Sequence, residues 1–333
     1  MLRNFLTQLP GSKPHLLALL ASSIVFTAGC SYTPSTAPDD NPISSPATLK
    51  GNVHGGNQPV TGATVTLWFA GQGGTTPLPP TKAATTTTDG QGSFSFVRDT
   101  IRGTHDGTTN TYSCPAGVAP PLVYVLSQGG YTQNNGVAGQ TNAAAGFIAG
   151  YGSCTELSAD NFVFMSEATT VATMAAVQQV FDSRSETISA SSADQQRRIM
   201  LNLPNTVKLM FDSATGLAVS STSVPAASSD DIPQGVSLMA TPETSKINLM
   251  ANILSACINA RTSVAPTCST LFAAAVPPIP STTSLKPATP FTTATDTLQA
   301  VYYMLTNPTD GGTANLATLF GLAPGVGGRR DSS

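Results

Sequence analysis

The period of the hydrophobic pattern changes once along this chain, and that change constrains the fold more than any other feature. From Leu49 to Met165 apolar residues recur mostly at every second position; after Ser166 they recur at every third or fourth. A period of two belongs to strands with one buried face, and a period near 3.6 to amphipathic helices. The chain is therefore read as α+β and multi-domain. A β-sandwich is expected over residues 48–165 and a mainly α-helical domain over 166–324.

In the strand half, Leu49, Gly51 and Val53 share one face, and Lys50, Asn52 and His54 the other. Gly55-Gly56-Asn57 is turn chemistry. Val65, Leu67 and Phe69 then point inward, with Thr64, Thr66 and Trp68 outward. Thr85–Thr88 leads into an Asp89-Gly90-Gln91-Gly92 hairpin turn, and Ser93-Phe94-Ser95-Phe96 follows it. Leu122–Leu126 is a continuous apolar run suited to a central strand, and Phe162–Met165 is the last strand expected. Short strands at this spacing, separated by glycine-rich turns, argue for a sandwich.

In the helical half, Ser166 is placed as an N-cap with Glu167 in the first turn, ahead of Val171, Met174, Val177 and Phe181. A second helix is expected from Ala193 to Leu203, broken or kinked at Pro204, and a third over Val207–Phe211. Ile247, Met250, Leu254 and Ile258 mark a helix over 245–258. Thr295 or Asp296 caps one running to Leu305, and a short helix spans Ala314–Leu319. Ser220–Pro242 and Val276–Pro290 read as Ser/Thr/Pro-rich surface loops.

Ahead of both regions lies an export signal. Arg3 and Lys13 supply a positive n-region, Leu16–Phe26 an apolar core, and Thr27-Ala28-Gly29-Cys30 a small-residue end. The apolar run is shorter than the ~20 residues a membrane span needs. Cleavage after Gly29 would leave Cys30 as the lipidated N-terminus, so the expected anchor is a lipid at that residue. Residues 1–29 are therefore expected to be the leader, 30–47 a disordered Ser/Pro/Thr-rich tether, and 325–333 a disordered tail. By resemblance to lipoprotein sorting rules, the non-acidic Ser31 favours the outer membrane, with plain secretion as the alternative.

Four cysteines remain after Cys30: Cys114, Cys154, Cys257 and Cys268. An even number in an exported chain reads as disulfides. Of the three pairings possible, Cys114–Cys154 with Cys257–Cys268 keeps each bridge within one domain. None has the CxxC spacing of a structural zinc site. Removing Arg3 and Lys13 with the leader leaves 13 basic and 18 acidic residues, a net charge of −5. With no basic run beyond Arg197-Arg198 and Arg329-Arg330, nucleic acid is not an expected partner.

A resemblance sharpens the strand half. Gly51-x-Val53, then Pro59-Val60-x-Gly62-Ala63-x-Val65-x-Leu67, then Thr88-Asp89-x-x-Gly92-x-Phe94, is similar to the carboxypeptidase regulatory-like domain. The resemblance implies a transthyretin-like sandwich and is nearly silent on function. The zinc peptidase that names the family is not expected, because the chain has no His-x-x-Glu. The arrangement from Thr48 to Leu322 also resembles exported bacterial proteins in which this sandwich leads into a helical region. Their marks here are Ser166-Glu167-Ala168-Thr169-Thr170-Val171 and Cys257-Ile258-Asn259. Some longer relatives continue into a β-propeller or immunoglobulin-like repeats; the chain stops at Ser333, so a function resting in such an extension is not expected.

No catalytic or metal site and no cofactor is expected from the residues. After the leader only His54 and His105 remain, and solvated histidines are the simpler account of both. No Gly-x-Ser-x-Gly elbow occurs; Gly150-Tyr151-Gly152-Ser153 reads as a turn beside the disulfide. Glu156, Asp160, Glu167, Asp182 and Glu186 cluster in sequence, as a carboxylate hydrolase would require, but capping and solvation account for them. Asp89 suggests a hairpin rather than a calcium loop. Trp68, out of phase with its strand's core face, is the candidate ligand contact; the alternative is a tryptophan packed beneath the helical domain. Three functions follow in order: a non-enzymatic lipid-anchored envelope module with a structural or interaction role; a glycan-binding accessory protein using Trp68; and a hydrolase with a carboxylate site near Glu167. The expected partners are the membrane, through the lipid, and an envelope protein or glycan.

Overall fold

The computed structural model describes residues 48–99, 106–115, 120–132, 140–157, 161–212, 217–223, 239–279, 290–308 and 312–323. The leader, Cys30, the tether, the tail, His105 and Asp160 lie outside the described residues.

The alternating segments form two sheets. Strands β1 (Thr48–Gly55), β2 (Gln58–Thr61), β5 (Ser93–Arg98), β6 (Thr111–Tyr112), β8 (Tyr131–Thr132) and β10 (Phe162–Met165) make one. In it β1 lies between antiparallel β5 and parallel β10, with Gly51 opposite both Phe94 and Val163. Strands β3 (Thr64–Phe69), β4 (Thr81–Thr87), β7 (Leu122–Gln128) and β9 (Gly146–Ser153) make the other, in the order β4-β3-β7-β9. The inward residues Leu49, Val53, Val65, Leu67, Phe94 and Phe96 are buried in one apolar cluster. Turn chemistry holds where the glycines predict it: Gly56 and Asn57 have positive φ between β1 and β2. Asp89 Oδ1 accepts from the backbone N–H of Gln91 and of Ser93, both at 2.8 Å.

Among the described residues six helices follow: α1 (Glu167–Val177), α2 (Ala193–Met210), α3 (Thr244–Ile258), α4 (Pro266–Ala274), α5 (Thr297–Thr306) and α6 (Gly312–Leu322). Short antiparallel pairs sit among them: β11 (Phe181–Asp182) with β12 (Thr187–Ile188), β13 (Phe211–Asp212) with β14 (Leu217–Ala218), and β15 (Thr222–Ser223) with β16 (Met239–Ala240). The chain is thus mixed α+β. Ser166 caps α1 by accepting from Thr169 N, and Asp296 caps α5 by accepting from Gln299 N. Apolar positions on α1, α3, α4 and α5 belong to the same buried cluster as the strands.

The structure corrects several sequence readings. Residues 193–210 form one helix through Pro204, whose missing N–H costs a single intrahelical bond on a largely exposed helix. Pro266 begins α4, a helix beyond those expected from the sequence, and proline suits the first helical position. Gly150–Ser153 is the end of strand β9 rather than a turn.

Strand β9 is a sheet edge, and helices cover it. Its N–H groups at alternate positions donate to threonine hydroxyls: Gly146 to Thr297 Oγ1 at 2.8 Å, Ile148 to Thr170 Oγ1 at 3.3 Å, and Gly150 to Thr173 Oγ1 at 3.3 Å. Three hydroxyls stand where a neighbouring strand's carbonyls would be, and the exposed-edge problem is removed. The buried side chain of Asn142 donates to Cys257 O at 2.7 Å and to Ala260 O at 3.3 Å, satisfying carbonyls at the end of α3.

Candidate functional site

Between β9, β10 and α2 lies a cleft of about 750 Å³, within the ~300–1,000 Å³ usual for small-molecule sites. Helix α2 supplies Pro204, Val207 and Lys208, and β13 supplies Phe211. The sheets supply Asn52 from β1, Tyr151 from β9, and Phe162 and Phe164 from β10. Phe162 is 44% exposed. The Phe164 and Phe211 rings lie 6.3 Å apart, and the His54 ring lies 5.3 Å from that of Phe164. The Tyr151 hydroxyl donates to Phe162 O at 2.9 Å, and burial raises its pKa.

One end of the cleft is braced covalently. Ser153 caps a short 3₁₀ turn, Cys154–Glu156, with its hydroxyl toward Thr155 N, while Glu156 Oε2 accepts from Ser153 N at 3.1 Å. Cys154 in that turn is disulfide-bonded to Cys114. Glu156 is the one acidic residue among the described residues lining the cleft, and no histidine lines it among them. The Ser153 hydroxyl and the Glu156 carboxylate are both held in this reciprocal cap.

The other sequence-named residues are dispersed. Cys257 and Cys268 form the second disulfide, between α3 and α4. Glu167 is buried rather than solvated: Gly56 N–H donates to its Oε1 at 2.8 Å, and burial raises its pKa to about 7. It fastens the β1–β2 turn to the start of α1. Asp182 accepts from Arg184 N at 3.0 Å and from Ser185 Oγ at 3.1 Å, and so closes the β11–β12 turn. Glu186, with positive φ at that turn, accepts from Gln128 Nε2 and lies against the Asp296 carboxyl. Burial and the Asp296 charge raise its pKa. His54 is half-buried, and burial lowers its pKa. Among the described residues no group of three or more His, Cys, Asp or Glu is placed to hold a metal ion.

Trp68 lies outside the cleft. It is half-buried on the outer face of β3, stacked 6.2 Å from Tyr124, with its Nε1–H donating to Thr66 Oγ1 at 2.9 Å. The residues that do form the cleft were missed because they come from elements scattered along the chain from β1 to β13. Their only sequence signal was an out-of-phase Phe162 and Phe164 on a strand whose core face is Val163 and Met165.

Comparison with known proteins gives little beyond this. No family model matches the chain, and no curated protein does. Among solved structures it is similar to a 9R-lipoxygenase from Cyanothece PCC8801 at 11% identity and a TM-score of 0.22. That match covers 67% of this chain and 25% of the lipoxygenase, so the chain spans about a quarter of that protein's length. A likeness at that score carries no argument about fold or activity. Among the described residues no helix is long and apolar enough to cross a membrane.

Proposed function

We propose that this chain is a lipid-anchored, non-catalytic module of the bacterial cell envelope that presents the α2 cleft as a binding surface on a transthyretin-like sandwich. The observation that carries the reading is the chemistry of the cleft. Its aromatic side chains face an open space of ligand size, while the hydroxyl and carboxylate that would serve a reaction are tied into a cap. General acid–base catalysis on a glycosidic bond uses two carboxyl groups flanking the bond, and the described lining offers one. Glu167, the hydrolase candidate from the sequence, is engaged in holding a turn.

Export and anchoring rest on the leader and on Cys30, and the two disulfides are compatible with an oxidising compartment. The resemblance to the carboxypeptidase regulatory-like domain supports the sandwich as a carrier without chemistry of its own. Replacing Cys30→Ala tests the anchor. The variant is expected in the soluble envelope fraction, and its retention in the membrane pellet would contradict the reading.

A further inference from the structure

We infer that the cleft between β9, β10 and α2 binds a neutral oligosaccharide, an inference that rests on the binding-module reading above. A sugar ring presents a C–H face and a rim of hydroxyls, so its site needs an aromatic surface bordered by short polar groups. Phe162, 44% exposed, and the half-buried Phe164 supply aromatic surface, with the buried Phe211 behind them. Asn52 and Lys208 line the same space, and an amide and an ammonium are donors suited to hydroxyl oxygens. The volume, about 750 Å³, is large enough for a short oligosaccharide.

Charge selects within that class. Lys208 is the only cation and Glu156 the only anion among the described lining residues. The balance gives no net attraction for phosphate-rich or carboxylate-rich chains, which multiple arginines or lysines would recognise. Trp68 takes no part: it lies elsewhere, stacked on Tyr124 with its N–H used internally.

The test is calorimetric titration of the intact mature chain with cellotriose, maltotriose and chitotriose, using Phe162→Ala, Val207→Trp and Trp68→Phe variants. At least one trisaccharide is expected to bind. Phe162→Ala should weaken it by about tenfold or more, as truncation of a central aromatic anchor does. Val207→Trp, which fills the cleft, should abolish binding, and Trp68→Phe should leave it unchanged. Thermal melts of each variant separate lost binding from lost fold; Phe162 is exposed enough that its truncation should leave the melt nearly unmoved. Binding that survives Phe162→Ala and Val207→Trp, or that fails with Trp68→Phe, overturns the site. If no trisaccharide binds but a tripeptide library yields a ligand lost in Phe162→Ala, the sugar class is wrong and the binding module stands. If neither set binds, both fall.

Discussion

Glu167 shows how one buried carboxyl couples this protein's stability to pH. Its hydrogen bond to Gly56 N–H favours the charged form, but burial outweighs that bond and raises the pKa to about 7. A carboxyl whose folded pKa lies above its unfolded value contributes stability that is fully present below the unfolded pKa of 4.5 and is lost as pH rises through about 7. The shift corresponds to on the order of 3 kcal/mol. Glu167→Gln keeps an acceptor for Gly56 and removes the titration. Chemical denaturation at pH 4.5 and pH 8 should therefore find the variant close to the parent at the lower pH. At the higher pH it should be more stable by about 1–3 kcal/mol. An equal difference at both pH values would contradict the assignment. The sequence announced Glu167 as a first-turn helix residue, but not its burial, because its partner is 111 residues away in the chain.

At the level of elements, the strands with clean alternation were legible and β9 was not. Gly150 and Gly152 make its end read as a turn, yet Gly146 and Gly150 are there for packing. A Cβ at Gly146 would lie 2.8 Å from Leu298 Cγ, and one at Gly150 would lie 2.6 Å from Leu203 Cδ2. The helices approach the strand too closely for side chains, and that requirement appears only when the tertiary structure is known. The same approach brings Thr170, Thr173 and Thr297 to the edge amides. Thr173→Val keeps the shape and leaves Gly150 N–H without this acceptor. It should destabilise the chain by about 1–3 kcal/mol in denaturant titrations, with Thr173→Ser restoring most of the loss; an unchanged midpoint in Thr173→Val would refute the edge-cap role. The cleft was illegible for a related reason, since its walls are set by how α2 lies beside β9 and β10. Helix existence was largely readable, whereas α2's passage through Pro204 was not.

For the whole molecule, residues from Leu49 to Ala323 share one apolar cluster, and the two disulfides staple it at separate places. Under the loop-entropy model, closing the 40-residue separation of Cys114–Cys154 stabilises by about 4 kcal/mol. Cys114→Ala with Cys154→Ala should therefore lower the melting temperature by several degrees or more. It should also loosen the 3₁₀ turn that braces the cleft, weakening any cleft ligand; a melt and an affinity that both stay unchanged would show the bridge to be incidental. The cysteine pairing could be argued from sequence because compartment and domain spacing limit the choices.

The proposed anchor and the two staples are both addressed by one intact-mass measurement. The chain purified from membranes, weighed before and after reduction, is expected to lack residues 1–29, to carry lipid on Cys30, and to gain four hydrogens on reduction as two disulfides open. A species that retains its leader or bears no lipid, and whose mass does not change on reduction, would contradict the account of a tethered, disulfide-stapled envelope module.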